Sequence, residues 1–147
     1  MRIILVFFML CFSVVSIYAQ EYKTLVGIII DEEINVLSNV SIYSADTTFL
    51  GSSNDTGFFS ISVPMSTSEL LIAAMGMEWV RVKIDNNCTV LEIVMMIRVI
   101  YDFVPLRVIN RKRRARFRKL PMIHKEAFRM GVFRSESPSV NYVFEPF

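Results

Sequence analysis

Apolar and polar positions alternate with a period of two through most of the stretch from Lys23 to Ile93, the spacing that lines one face of a β-strand. The alternation is clearest where Phe59, Ile61 and Val63 interleave with Phe58, Ser60 and Ser62. Pro64 ends it, because proline has no N–H to give a strand ladder. Lys23 to Asp31 is rich in β-branched residues and runs into a polar turn, Glu32-Glu33-Ile34-Asn35. Val40 with Ile42, Thr48 to Gly51, Leu70 with Ile72 and Ala74, Val80 with Val82 and Ile84, and Leu91 with Ile93 complete the strand candidates. Seven short strands, with turns at roughly 8–12-residue intervals, predict an all-β fold: a seven-stranded antiparallel Greek-key sandwich. Gly57 ends Asn54-Asp55-Thr56-Gly57, a tight hairpin where a positive φ costs glycine nothing sterically. Trp79 has a large apolar body and an N–H that needs a partner, so partial burial at a sheet edge is expected.

The pattern changes after Val94. Met96 to Tyr101 fits a final strand or a connector across the sandwich. Pro121 to Met130 reads as a short helix, with proline in its first turn and Gly131 just past its end. Ile123, Ala127 and Met130 share one face of it and are expected to pack. The aromatic end, with Phe133, Tyr142, Phe144 and Phe147, is expected to return to the sandwich as an edge strand or to add to a partner's sheet.

Residues 1–20 have a different character. Met1-Arg2 precedes an apolar run from Ile3 to Ser16, and Ile17-Tyr18-Ala19-Gln20 follows. This is the layout of a secretory signal peptide, with cleavage expected after Ala19. An uncleaved anchor is the alternative, since about 15 apolar residues are marginal for a roughly 30 Å hydrocarbon core. The organisation that follows is a leader over 1–19, a sandwich over 20–104 and a basic extension with a short helix over 105–147. The expected location is outside the cytoplasm, in the periplasm or associated with the outer membrane. Cleavage removes Cys11 and leaves Cys88 alone, so no intramolecular disulfide forms. Cys88 sits in the turn-like stretch Asp85-Asn86-Asn87-Cys88-Thr89 and is expected to be a partly buried spectator.

Three segments resemble a known family. Gly27-Ile28-Ile29-Ile30-Asp31 followed by Val36-Leu37-Ser38-Asn39-Val40-Ser41-Ile42 resembles its G-x-V-x-D … P-L-x-x-A/V-x-V opening. Asn54-Asp55-Thr56-Gly57-Phe58-Phe59-Ser60-Ile61 is similar to its T-D-x-x-G-x-F-x-I centre. Leu70 to Met77 is similar to its L-x-(V/F)-x-x-x-G-(Y/F) strand. Together, over residues 22–96, they resemble the carboxypeptidase-regulatory-like domains, prealbumin-like β-sandwiches abundant in secreted and outer-membrane proteins of Bacteroidetes. Val36 stands where the family favours proline, and Met77 where it favours an aromatic residue. Leu120-Pro121-x-x-His124-Lys125-x-Ala127 … Gly131-x-Phe133 resembles the tail of small Bacteroidetes proteins built on this sandwich, which implies a complete chain rather than a receptor fragment.

Composition narrows the chemistry. The chain of 147 residues is 53% hydrophobic, a fraction inflated by the leader, and carries one His and two Cys. A zinc peptidase needs two or more imidazoles with a carboxylate, and the single His124, in His124-Lys125-Glu126, cannot assemble such a site. No G-x-S-x-G nucleophile motif occurs. No enzyme and no cofactor are therefore expected, and His124 is expected on a helix surface. Asp31, Glu32 and Glu33 lack the spaced oxygen ligands of a calcium loop, so a solvated turn is expected there.

Charge divides near residue 106. Glu21 to Leu106 holds eleven acids and four bases, a net of −7, whereas Arg107 to Phe147 holds three acids and eleven bases, a net of +8. Eight cations fall within the thirteen residues Arg107 to Lys119. Behind a leader, nucleic acid is not the expected partner. Like charges three and four apart destabilise an isolated helix, so the segment needs acidic neighbours or an anionic surface. The open alternatives are docking on the protein's own acidic sandwich, binding an anionic envelope polymer or lipid surface, and a dibasic processing site at Arg111-Lys112-Arg113-Arg114. The candidate anion- or partner-binding residues are Arg111, Lys112, Arg113, Arg114, Arg116, Arg118 and Lys119. The expected function is a non-enzymatic exported β-sandwich module that binds a cell-envelope partner, an envelope protein or anionic polymer. The alternative is an anionic-polymer or membrane-surface binder acting through the Arg/Lys-rich segment 107–119. Peripheral membrane contact is among the expected contacts, and the oligomeric state is open.

Overall fold

β-branched and alternating segments form eight strands in a computed structural model that describes residues 21–85 and 87–147. The leader and its cleavage point after Ala19 lie outside the described residues. The strands are β1 (Tyr22–Asp31), β2 (Ser41–Ser44), β3 (Phe49–Ser52), β4 (Phe58–Pro64), β5 (Glu69–Ala73), β6 (Val80–Ile84), β7 (Val90–Met95) and β8 (Val140–Val143). Two helices, α1 (Leu106–Phe117) and α2 (Leu120–Arg129), separate β7 from β8. One sheet has three strands in the order β4-β1-β7, and the other has five in the order β3-β2-β5-β6-β8.

Two features depart from the seven-stranded antiparallel expectation. β1 and β7 run parallel, with Gly27 opposite Leu91 and Ile29 opposite Ile93. Side-chain period marks a strand but carries no direction, and five strands intervene between these two. The eighth strand comes from the C-terminal aromatic segment, where β8 pairs antiparallel with β6 and places Tyr142 opposite Val82.

The period-two residues meet between the sheets. Leu25, Ile29, Phe59, Ile61 and Val63 face Ile42, Leu70, Ile72, Val80 and Val82, all buried, in the main core. Each such side chain contributes about 1.5–3 kcal/mol when fully buried. Gly27 is required where three chain segments converge: a Cβ there would lie 2.0 Å from the Leu91 carbonyl oxygen and 2.7 Å from the Phe59 ring. Gly57 has φ +73, as its position suggests, but its turn is no hairpin: it carries the chain from β3 in one sheet to β4 in the other.

A second core covers the outer face of the three-stranded sheet. Ile30, Val94 and Met96 pack there against Leu120 and Ala127 of α2 and against Phe133. β7 is therefore buried on both faces, from Leu91 to Met95. Its free edge is capped by side chains: Tyr142 Oη accepts the Val94 N–H at 2.8 Å, and Ser139 Oγ accepts the Glu92 N–H at 3.0 Å. A strand edge closed in this way offers no template to another chain.

Several local expectations change. Met96 to Tyr101 is a connector, joined to the β5–β6 loop at the isolated bridge Met77–Ile97 by the Glu78 N–H to the Met96 carbonyl at 2.8 Å and the Arg98 N–H to the Gly76 carbonyl at 2.9 Å. Trp79 is 69% exposed. On α2 Ala127 is buried and Ile123 packs partly against the second core, as expected, but Leu120 and His124 complete the buried face and Met130 is 62% exposed, the inward face being rotated by about 60° from the stripe that excludes histidine. Asp31 is buried and accepts the N–H groups of Glu33 and Asn35 at 2.8 and 2.9 Å, so this turn is held by its own carboxylate. Cys88 is half-buried, with its thiol 3.1 Å from the Val90 carbonyl oxygen. No helix among the described residues is long and apolar enough to cross a membrane.

Candidate functional site

α1 has no side-chain N-cap and no acid in its first turn, and half of its twelve residues are basic. Its repulsions at three- and four-residue spacing have to be offset by tertiary contacts. They are offset along one face. Ile109, Arg113, Arg116 and Phe117 turn toward the sandwich, spaced as successive turns of one helix face.

Arg113 is 6% exposed and Glu78 5%, and they meet with Arg113 Nε and Nη2 each 3.0 Å from Glu78 Oε2. Arg113 Nη1 also donates to the Glu145 carbonyl at 2.9 Å, and its guanidinium lies 3.6 Å from the centroid of the Phe147 ring. Arg116 reaches a second acid: its Nε donates to Glu32 Oε1 at 3.1 Å and its Nη2 pairs with Glu32 Oε2. Arg116 Nη1 stands 3.5 Å from Glu78 Oε1, and Nη2 donates to the Ile97 carbonyl at 2.7 Å. The hydrogen bond to Glu32 holds the Arg116 guanidinium pKa above its usual value. Of the anticipated candidates, Arg113 and Arg116 therefore fasten the helix to the acidic sandwich.

The remaining candidates point away. Arg111, Lys112, Arg114, Arg118 and Lys119 are exposed, and none forms a salt bridge among the described residues. Arg107, Arg111, Arg114 and Arg118 recur at i, i+4, i+7 and i+11, so they form one stripe. With Asn110, Ala115 and Pro146 they line an open groove of about 540 Å³. Arg114 lies 5.0 Å from the Phe144 ring, and Lys112 sits over Tyr101 at 5.6 Å. No acid lines the groove. Asn110, Pro146 and Phe147 were not anticipated. Asn110 accepts the Phe147 N–H at 3.0 Å and donates to its carbonyl at 3.3 Å, which fixes the aromatic end beside the stripe. The helical spacing of the four arginines is visible in the sequence once the segment is taken as a helix.

His124 is fully buried rather than on a helix surface. Its Nε2 lies 2.9 Å from the Ser135 carbonyl, which only accepts, so that nitrogen carries the proton. Nε2 also stands 3.7 Å from Glu92 Oε2, and the Glu92 carboxylate accepts the backbone N–H groups of Arg134 and Ser135. This buried cluster ties the extension to β7, and Glu92 and Arg134 also line a small pocket of about 150 Å³ beside Gly27 and Phe58. Among the described residues, no three His, Cys, Asp or Glu side chains gather as metal ligands would. No protein-family model and no curated protein matches the chain.

Proposed function

We propose that this chain is a non-enzymatic, exported β-sandwich module of the carboxypeptidase-regulatory-like type, with the Greek-key winding of that family. It engages an anionic partner in the cell envelope through the outer face of α1. The observation that carries this is the stripe Arg107, Arg111, Arg114 and Arg118, which lines a groove and has no acidic partner among the described residues. Arginine presents a planar fork of donors matched to phosphate and carboxylate oxygens, and a row of four concentrates anions along a line. Docking on the sandwich and binding an outside anion thus divide between the two faces of one helix. The burial of the chain's single imidazole supports a role without catalysis. The leader pattern over residues 1–19 supports export.

Binding of the mature chain to long-chain inorganic polyphosphate tests the reading. Affinity is expected to fall steeply between low and physiological salt, and by at least ~10-fold when Arg107, Arg111, Arg114 and Arg118 all become Gln. The far-UV spectrum stays unchanged, because none of the four holds the fold. Equal affinity in the variant, or metal-dependent peptidase turnover by the purified chain, overturns it.

A further inference from the structure

Large apolar side chains stand in water in the segment leading into α1 and at the aromatic end. Phe103 is 106% exposed, Ile100 81%, Leu106 61% and Phe147 63%. Phe103 and Leu106 lie within four residues before Arg107, at the entry to α1. Leu106, Asn110 and Arg114 follow one another at four-residue spacing on the helix, and Asn110 holds Phe147 by two hydrogen bonds. Leu106 and Phe147 therefore adjoin the groove through Asn110, which lines it, and Phe103 precedes Leu106 by three residues. Phe103 also has φ +57, a left-handed conformation that bulky residues avoid. Its side chain gains no packing in return.

We infer that this side docks on an anionic lipid bilayer, with Phe103, Leu106 and Phe147 entering the interface while Arg107, Arg111, Arg114 and Arg118 pair with headgroup phosphates. The inference rests on the reading of α1 as an anion-binding face and names its partner. A soluble polyanion uses the arginines alone and leaves the apolar tips hydrated. A bilayer surface takes both, since aromatic and aliphatic side chains settle at the headgroup boundary while nearby cations are drawn by its negative potential. The connector from Met96 to Pro105 carries Arg98 and Asp102 and is neutral overall, so its net charge does not oppose the approach of an anionic surface.

The test compares two probes on the mature chain: vesicles of phosphatidylglycerol and phosphatidylethanolamine, and soluble inorganic polyphosphate. Phe103→Asp with Leu106→Asp is expected to lower vesicle binding at least ~10-fold and to leave polyphosphate affinity within about twofold. Replacing the four arginines by Gln lowers both. The Phe103→Ser single variant gives the same contrast should the double variant fold poorly. If polyphosphate binds through the arginines while vesicles are ignored, or are bound equally by the Asp variant, the bilayer inference falls and the anion-binding face stands. If neither probe depends on the arginines, both fall.

Discussion

Replacing Glu78 by Gln removes the charge against which α1 is anchored. In the native chain Arg113 and Glu78 are 6% and 5% exposed, and Arg113 contacts Glu78 Oε2 at 3.0 Å through two nitrogens. Losing one member of a buried pair typically costs about 3–5 kcal/mol, because the other charge stays desolvated and unpaired. Two contacts soften this: the Glu145 carbonyl at 2.9 Å and the Phe147 ring face at 3.6 Å both still receive the guanidinium. Arg116 also keeps Glu32. The expected loss is therefore near the lower end, about 3 kcal/mol, or on the order of 10 °C in Tm. Arg113→Met should cost a similar amount, since Glu78 then keeps only Arg116, at 3.5 Å. The double variant Glu78→Gln with Arg113→Met should lose at least ~1.5 kcal/mol less than the sum of the singles. Arg81→Gln is the exposed control: its partners Glu69 and Glu145 are 26% and 61% exposed, and about 0–1 kcal/mol is expected. Urea unfolding followed by circular dichroism measures all four. Glu78→Gln within 1 kcal/mol of the native chain, or strictly additive singles, would refute the claim that this pair anchors the helix.

Two further outcomes follow from the cores. Burial pushes the Tyr142 phenol well above its usual 10.0, against the opposing pull of the Val94 N–H. The folded state holds that proton more tightly than the unfolded chain, so stability is intact below pH 10 and declines as pH rises beyond it. Tyr142→Phe should flatten this alkaline decline and, by stranding the Val94 N–H, cost about 1–3 kcal/mol at neutral pH. An unchanged alkaline slope in urea titrations between pH 9 and about 11 contradicts this assignment. Gly27→Ala should destabilise by about 3 kcal/mol or leave the chain unfolded, because its Cβ meets the Leu91 carbonyl at 2.0 Å. A near-native Tm in that variant contradicts the close approach of β1 and β7.

The strands were legible because alternating burial is written residue by residue. Phe59, Ile61 and Val63 face the main core where their spacing places them, and the aromatic end does supply an edge strand through Tyr142 and Val143. The parallel pairing of β1 with β7 was not legible, since direction depends on a contact across most of the sandwich. One signal for the second core was present and passed over. Leu91 to Met96 is apolar on both faces apart from Glu92, the mark of a strand covered twice. A polar reading of His124 moves the expected α2 stripe by three residues, about 60° around the helix, from Leu120-His124-Ala127 to Ile123-Ala127-Met130. Burial of the imidazole depends on Ser135 and Glu92, neither of which its sequence neighbours reveal. Within the basic segment, composition announced an anionic need but not its division. Arg113 and Arg116 meet Glu78 and Glu32 because they share the inward face of α1 with buried Ile109 and with Phe117, which packs on the second core.

Native-state hydrogen exchange, read by mass spectrometry on residues 20–147, tests most directly whether the cationic segment is a docked helix with one free face. Amides from Ile109 to Phe117 should exchange slowly, on the timescale of α2 and well behind the exposed connector before Pro105. Exchange of the whole 106–117 stretch within seconds, while β1 and β7 stay protected, would show an unfastened basic arm and contradict the account.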